Sequence, residues 1–326
     1  MQGGKTMKAM VQRAYGSPEV IALQHTVKPS PGNKDILIRV HAATVGPSDC
    51  AFRKGDPFMI KVLYGFFKPK YAIGGTELAG IIEAVGADVK LFKPGDRVVG
   101  LSSKTFGAHA EYICLPEESP LALIPENLSY EQAAAICDGG ATALTYLRDK
   151  AKLHKGQKIL INGASGAVGI YAVQLAKYYG AHVTAVCSGS NESLVRKAGA
   201  DDVIDYTKQD FTKSSQTYDV IFDAVGKRSF SSCKSVLSAN GLYLTTAVKL
   251  SVMLQTVWTS LFKGKRVRFA TAGLVQNYAT LTFLMKLANK QSLNAVIDRR
   301  YPLEQLASAH RYVETERKKG NVIIEI

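Results

Sequence analysis

"KILINGASGAVGIYAVQLAKYYG", Lys158–Gly180, decides how the chain folds. "KILIN" is short, apolar and β-branched, the pattern of a buried strand. Gly163, Gly166 and Gly169 follow it, and an apolar helical stretch then runs until Gly180 stops it. Glycines at a strand-to-helix turn let the backbone approach a pyrophosphate, and the helix N-terminus supplies N–H groups and a positive dipole end. A glycine triplet alone would also suit an ordinary tight turn. Here a strand precedes it, a helix follows, and a second strand, "HVTAVC" (His182–Cys187), ends at the right distance. That context points to dinucleotide binding at Ser165, Gly166, Ala167 and Val168.

Outward from this turn, strand and helix keep alternating. "NESLVRKAG" reads as a helix capped by Asn191 and closed by Gly199, and "DVIDY", "YDVIFDAVG", "GLYLTTA" and "RVRFATAG" read as strands. Repeated βα units with continuously apolar strands predict an α/β fold, a doubly wound parallel sheet covered on both faces. "TLTFLMKLANKQ" is the last helix of this block. The chain before it is different. "KAMVQR", "DILIRVHAA", "LAGIIEAVG", "DRVVGL" and "HAEYICL" are short strands bounded by Gly, Pro or Asp, and the pattern changes at Ser129, which with Gln132 forms a capping box. The expected organisation is a β-rich domain over 1–128, an α/β domain over 129–290 and a strand–helix–strand tail over 291–326. The pattern alone leaves open whether the tail returns to the first domain.

With 326 residues, 46% apolar and 21% charged, the composition is that of a globular protein. No apolar run reaches the roughly 20 residues of a membrane span; "LSVMLQTVWTSLF" (Leu250–Phe262) is too short and carries polar residues. The N-terminus has no hydrophobic signal core, Met7 offers an alternative start, and the reading is cytoplasmic. Cys50, Cys114, Cys137, Cys187 and Cys233 are spaced too far apart for a zinc ribbon or a thioredoxin motif, which leaves free thiols. A net charge of +14 suits an anionic partner or simply a basic, solvated surface. The cations fall in small clusters without an Arg-rich arm or helix, which argues against nucleic acid.

An acid at the end of the second strand would hold a ribose 2′-hydroxyl and repel a 2′-phosphate. Ser188, Gly189, Ser190 and Asn191 stand there instead, so NADPH is favoured over NADH; the alternative is that they only cap the next helix. The spacing Tyr-x-x-x-Lys occurs at Tyr64 and Tyr146, but both precede the glycine turn, and there is no G-x-S-x-G nucleophile elbow.

"VGPSDCAFRKGD", "GGTELAGIIEAVGADVKLFKPGDRVVG", "GAHAEYICLP", "AAAICDGGATALTYL", "GADDVIDY" and "YPLEQLASAHRYVETERKKGNVIIEI" together resemble the medium-chain dehydrogenases/reductases, from Met7 to Ile326. The resemblance is to the zinc-independent NADPH:quinone oxidoreductases that include zeta-crystallin. It implies a GroES-like β-rich catalytic domain, interrupted by a Rossmann domain and completed by the tail. Zinc members place ligands where this chain has Gly46, Thr76 and Asp138, and neither Gly46 nor Thr76 is a good zinc donor, which argues against a catalytic zinc. The quinone reductases commonly carry Asn at the position of Gly46. The family pattern also implies cofactor contacts at Thr142, at the turn, at Tyr206, at Ala224 and Val225, and at Lys319 and Asn321. Many relatives place a lysine or arginine at Ser190 or Asn191; this chain has neither. Without a metal an alkoxide lacks its stabiliser, whereas a quinone delocalises its own developing charge. The expected reaction is hydride transfer from NADPH to a quinone, with reduction of an enone or 2-alkenal as the alternative. A non-enzymatic reading is a nucleotide-pocket protein that binds RNA or membrane through its basic surface. No catalytic side chain is assigned; Gly46, Asp49, Phe52 and Tyr64 are the candidate substrate-pocket residues. The segment 54–75, rich in aromatics and lysines, is expected to be a lid, an anionic-membrane contact or an aromatic loop packed on the core or a dimer partner. The resemblance implies a homodimer through "GLYLTTA" and "RVRFATAG".

Overall fold

The computed structural model describes residues 5–247, 249–270 and 276–326. In chain order the elements are β1 (Thr6–Gln12), β2 (Ile21–Val27), β3 (Asp35–Val45), α1 (Pro47–Lys54), α2 (Met59–Tyr64), β4 (Glu77–Val85), β5 (Arg97–Leu101), β6 (Tyr112–Pro116), β7 (Leu121–Leu123) and α3 (Tyr130–Leu144). They continue with β8 (Lys158–Asn162), α4 (Ala167–Tyr178), β9 (His182–Cys187), α5 (Glu192–Lys197), β10 (Asp202–Asp205), β11 (Tyr218–Asp223), α6 (Phe230–Cys233), β12 (Leu237–Thr245), α7 (Leu250–Leu261), β13 (Arg266–Phe269), α8 (Tyr278–Asn289), β14 (Ile297–Pro302), α9 (Leu306–Glu314) and β15 (Asn321–Glu325).

Two compact units result. The first comprises Met1–Asp138, Gln276–Lys290 and Ala295–Ile326, the second Gly139–Val275 and Gln291–Asn294. The expected boundaries at 128/129 and 290/291 followed changes of secondary-structure type. The compact units divide instead inside α3, and α8 groups with the first unit.

In the first unit a sheet runs in the order β14-β15-β3-β4-β5-β7, with β6 also pairing β3 and with β1-β2 as a separate antiparallel ribbon. The tail does return: β15 pairs antiparallel with β3, Ile324 opposite Ala43. β3 and β15 are buried along most of their length and feed a core that includes Ile36, Ile38, Val40, Leu78, Val322 and Ile324, with Leu306, Ala309 and Val313 of α9 packed into it. The segment 54–75, expected as a loop, contains the short helix α2, in which Met59, Val62 and Leu63 are exposed and Ile60, Lys61 and Tyr64 partly buried.

In the second unit six strands, all parallel, stand in the order β10-β9-β8-β11-β12-β13. Counted along this unit that is 3-2-1-4-5-6, the doubly wound order, with its reversal between β8 and β11. Of the stretch "RVRFATAG", Arg266–Phe269 form the edge strand β13, and residues 271–273 lie outside the described residues. After α3 the chain widens into one π-helical turn, Thr145–Lys150. Tyr146 is fully buried there, and its hydroxyl donates to Thr245 O at 2.7 Å.

The capping box at the start of α3 forms as read: Ser129 N donates to Gln132 Oε1 at 2.9 Å, and Gln132 N to Ser129 Oγ at 3.2 Å. Ser129→Ala is expected to cost about 1 kcal/mol, seen in urea denaturation as a lower midpoint at unchanged slope.

Candidate functional site

The second unit holds a glycine turn between β8 and α4. Gly163 leaves β8 with φ +78°, and a Cβ there would lie 2.2 Å from Val225 Cγ2. A Cβ at Gly169 would lie 2.1 Å from Gly163 O, so α4 approaches the strand end as closely as backbone allows. Gly166 is different. Its φ is −79°, and a Cβ would meet only Gly163 O, at 3.5 Å. The chain's own packing requires the first and third glycines, while the space over the second is open. Beside it the first N–H groups of α4 lack partners within the helix. This geometry fits a pyrophosphate.

The strand ends around the turn are held by one carboxylate. Asp223, fully buried at the end of β11, accepts from Asn162 Nδ2 (2.9 Å), Val225 N (3.2 Å) and Gly226 N (3.0 Å) on Oδ1. On Oδ2 it accepts from Arg228 N (2.9 Å) and Tyr243 Oη (3.0 Å). Ala224 N donates to Asn162 O at 3.1 Å across the same reversal.

At the end of β9 Asn191 does not cap α5 with its side chain, which corrects the expectation. Its Nδ2 donates to Ser165 Oγ at 3.1 Å, tying the β9 corner to the turn, and its Oδ1 is buried with no hydrogen-bond partner among the described residues. Ser188 Oγ and Ser190 Oγ stand 3.1 Å apart. An acid is nevertheless near. Asp205, at the end of β10, approaches Gly189 so closely that a Cβ there would lie 2.6 Å from Asp205 Oδ2. Hydrogen bonds from the Thr207 hydroxyl and backbone hold the Asp205 carboxyl below its ordinary range. Sequence reading weighed only the end of the second strand; the signal lay in "VIDY". Tyr206, next in that motif, is exposed. Thr142 is buried in the helix of this unit. Lys319 and Asn321 belong to the other unit, where Lys319 N donates to Asp298 Oδ2 and Asn321 Nδ2 to Val296 O.

The first unit has its own recess. Asp49, Phe52 and Tyr64 line it together with Tyr15, Arg53, Tyr71, Phe106, His109 and His310; Gly46 is not in the lining. Gly46 is the N-cap of α1, its N–H held by Asp49 Oδ2 at 2.8 Å. The aromatic wall is built edge to face: Phe52 meets Phe106 at 4.7 Å and Tyr64 at 5.1 Å. Phe106 holds this place with φ +56°, a left-handed backbone unusual for an aromatic residue.

The polar side of the recess is buried, with Asp49, Arg53, His109 and His310 each nearly inaccessible to solvent. His109 Nε2 donates to Thr44 O at 2.9 Å, and burial pushes its pKa down. His310 Nδ1 lies 3.4 Å from Cys50 Sγ, but burial takes the histidine down to about 2 and the thiol up to about 12. The pair is therefore neutral, not a thiolate–imidazolium nucleophile. Burial also raises Asp49, whose Oδ1 has no hydrogen-bond partner among the described residues. Arg53 is buried and pairs through Nη2 with Glu314 Oε1. Glu77 accepts from Thr44 Oγ1 (2.7 Å) and Asp138 N (3.0 Å), and burial with the nearby Asp138 carboxylate pushes it up. Arg53, His109 and His310 were missed from sequence, although "FRKGD", "GAHAEY" and "SAHRY" carry them.

The donor set does not suit a catalytic zinc. Gly46 has no side chain, Thr76 offers a hydroxyl, and Asp138 Oδ1 accepts from Gln276 Nε2 at 3.2 Å. Among the described residues no three His, Cys, Asp or Glu side chains are grouped to hold a metal ion.

A doubly wound sheet with a glycine turn at its reversal, joined to a β-rich unit with an aromatic recess, defines a dinucleotide-dependent oxidoreductase. Residues 32–126 match the alcohol dehydrogenase GroES-like domain, and residues 198–324 match a zinc-binding dehydrogenase domain. Quinone-oxidoreductase QR1 of Triphysaria versicolor is 33% identical, over 99% of this chain and 99% of its own length. The solved quinone oxidoreductase of Coxiella burnetii superposes with a TM-score of 0.89 at 28% identity, over 99% of this chain and 100% of that one. The Escherichia coli quinone oxidoreductase, solved in complex with NADPH, gives 0.82 at 25%, over 98% and 100%. The chain belongs to the quinone-oxidoreductase branch of the medium-chain dehydrogenases/reductases, and is an NAD(P)H-dependent oxidoreductase.

Neutral His310 has a consequence for acid stability. Its folded value near 2 lies below the ordinary 6.5. Below pH 6.5 the unfolded chain binds a proton there that the folded chain refuses, so stability falls as pH drops through that range. The urea midpoint is expected to fall from about pH 7 to pH 5, and less steeply in His310→Gln; equal slopes in both proteins would contradict it.

Proposed function

We propose that the protein transfers hydride from NADPH to a quinone without a zinc ion. The observation that carries this reading is the recess of the first unit: aromatic walls and a buried polar side with neither a poised nucleophile nor a metal-ligand set. Such a surface suits a flat, apolar acceptor that needs no stabilised alkoxide. NADPH supplies the hydride; with one proton from water the quinone becomes a hydroquinone. Phe52, Tyr64 and Phe106 pack against the acceptor ring and exclude water, while Asp49 fixes the start of α1 through Gly46 N. Tyr64 and Tyr71 come from the segment 54–75, which favours its role as a lid on this recess.

In the second unit the α4 N-terminus receives the pyrophosphate. The hydroxyls of Ser188 and Ser190 and the Asn191 amide are neutral donors for a 2′-phosphate, and the Escherichia coli relative, by its description, binds NADPH. Asp205 beside Gly189 works against this preference, so the margin over NADH is small. Five cysteines, all free, suit a cytoplasmic setting.

Steady-state rates with a panel of quinones and a panel of enones and 2-alkenals test the acceptor; turnover of enals without quinone turnover would sink the proposal. Gly166→Val should leave the thermal melt in place, because the fold does not need that glycine, yet weaken dinucleotide binding by roughly tenfold or more. Asn191→Lys should tighten NADPH, and not NADH, by about tenfold through a charge-assisted bond to the 2′-phosphate. Fluorescence titration with each nucleotide reads both effects.

A further inference from the structure

Arg53 stands at the polar end of the recess with donors to spare. The residue is 1% exposed, and one of its nitrogens, Nη2, pairs with Glu314 Oε1. Nε and Nη1 are buried and have no hydrogen-bond partner among the described residues. A guanidinium offers N–H donors and no acceptor, so these donors face the interior unmatched, a costly state for a buried polar group. The side chain is nevertheless held in place. Arg53 O accepts from Gln12 Nε2 at 2.8 Å and from Gly16 N at 3.2 Å, and Glu314 is itself held by Lys54 at 2.8 Å. Asp49, one helical turn earlier on the same face of α1, also lines the recess, and its Oδ1 is unpaired too. Neither residue satisfies the other.

Fixed donors without an acceptor suit an oxygen on which charge builds up. The walls beside them, Phe52, Tyr64, Tyr71 and Phe106, are aromatic, so the matching ligand is an apolar ring with its polar atom toward Arg53. Burial pushes His109 and His310 toward their neutral forms, and they supply no competing cation. Burial also raises the Asp49 carboxyl, which lessens the charge that repels an anion there. We infer that Arg53, through its Nε and Nη1 donors, binds the acceptor's carbonyl oxygen and stabilises the negative charge that hydride delivery leaves on it. The hydride and its electron pair come from NADPH, which becomes NADP+. The quinone becomes a hydroquinone monoanion, and its charged oxygen accepts from Arg53 until a proton from water completes the hydroquinone. Arg53 thereby takes the part that a Lewis-acid metal plays in a zinc enzyme. The inference rests on the proposed acceptor site and names the residue that activates it.

The probe is 4-nitrophenol, a ring whose oxygen ionises near neutral pH and whose phenolate form is coloured. The full-length protein, without nucleotide, is titrated into 4-nitrophenol at the pH where half of it is ionised. Binding at Arg53 should raise the phenolate absorbance to saturation. Arg53→Gln should remove the rise, and Arg53→Lys should keep part of it. Glu314→Gln takes away the present partner of Arg53 but leaves its unmatched donors, so the rise should persist; thermal melts check that each variant is folded. With a quinone in steady state, Arg53→Lys should lower kcat about tenfold with KM little changed, the mark of an interaction made in the transition state. No rise in absorbance would overturn the assignment, and is the result if ordered water alone meets these donors. A full rise in folded Arg53→Gln, or its loss in folded Glu314→Gln, would do the same. Where Arg53→Gln fails to fold, an unchanged rise and unchanged kcat in Arg53→Lys overturn it. Undiminished quinone turnover in folded Arg53→Gln removes the role of Arg53 and leaves the proposed reaction standing; a phenolate rise without turnover of any quinone does the reverse.

Discussion

A single buried carboxylate organises the place where the parallel sheet reverses direction. Asp223 accepts five hydrogen bonds, from the β8 end, from the turn after β11 and from Tyr243 of β12. Backbone groups leaving the strands at a reversal have no ladder partner, and burying them unpaired is costly. Asp223 satisfies three of them at once and locks Asn162 beside them. The position of Val225 against Gly163 follows, and with it the shape of the glycine turn. The turn's geometry is therefore set from below, by a residue that need not touch a nucleotide.

The first unit solves a different problem. It encloses Asp49, Glu77, His109 and His310 in one region, and water is largely excluded from each. Burial drives the carboxyls up and the histidines down, which moves each toward its neutral form. Arg53 pairs with Glu314, itself also paired with Lys54 at 2.8 Å. A recess with such walls offers shape and weak polarity more than proton transfer. That character suits hydride delivery to an acceptor able to spread its own charge.

Much of this was legible in the sequence because it depends on local pattern. The strand–turn–helix at Lys158–Gly180, the Ser129 capping box and the alternation of β and α all arise within a few residues of themselves. Features made by distant segments were not. Asp205 reaches Gly189 from the next strand, so its presence at the end of β9 has no signature in the β9 segment alone. The recess draws Tyr15, Phe52, Phe106 and His310 from four separate stretches, and only the fold places them together. Asn191 illustrates competition: its type and position suit a helix cap, yet Ser165 Oγ captures its amide instead.

The π-helical turn at Thr145–Lys150 shows how much one residue of slack can matter. Widening a single turn changes the angular phase of the side chains around it, like an extra tooth in a gear. Tyr146 is thereby buried, its hydroxyl between Thr245 O and Ala270 O, where it bridges the ends of neighbouring strands. A regular helix of the same composition would present a different side chain to those carbonyls. Length and sequence are thus jointly tuned here: removing one residue would disturb the bridge even if every remaining residue were kept.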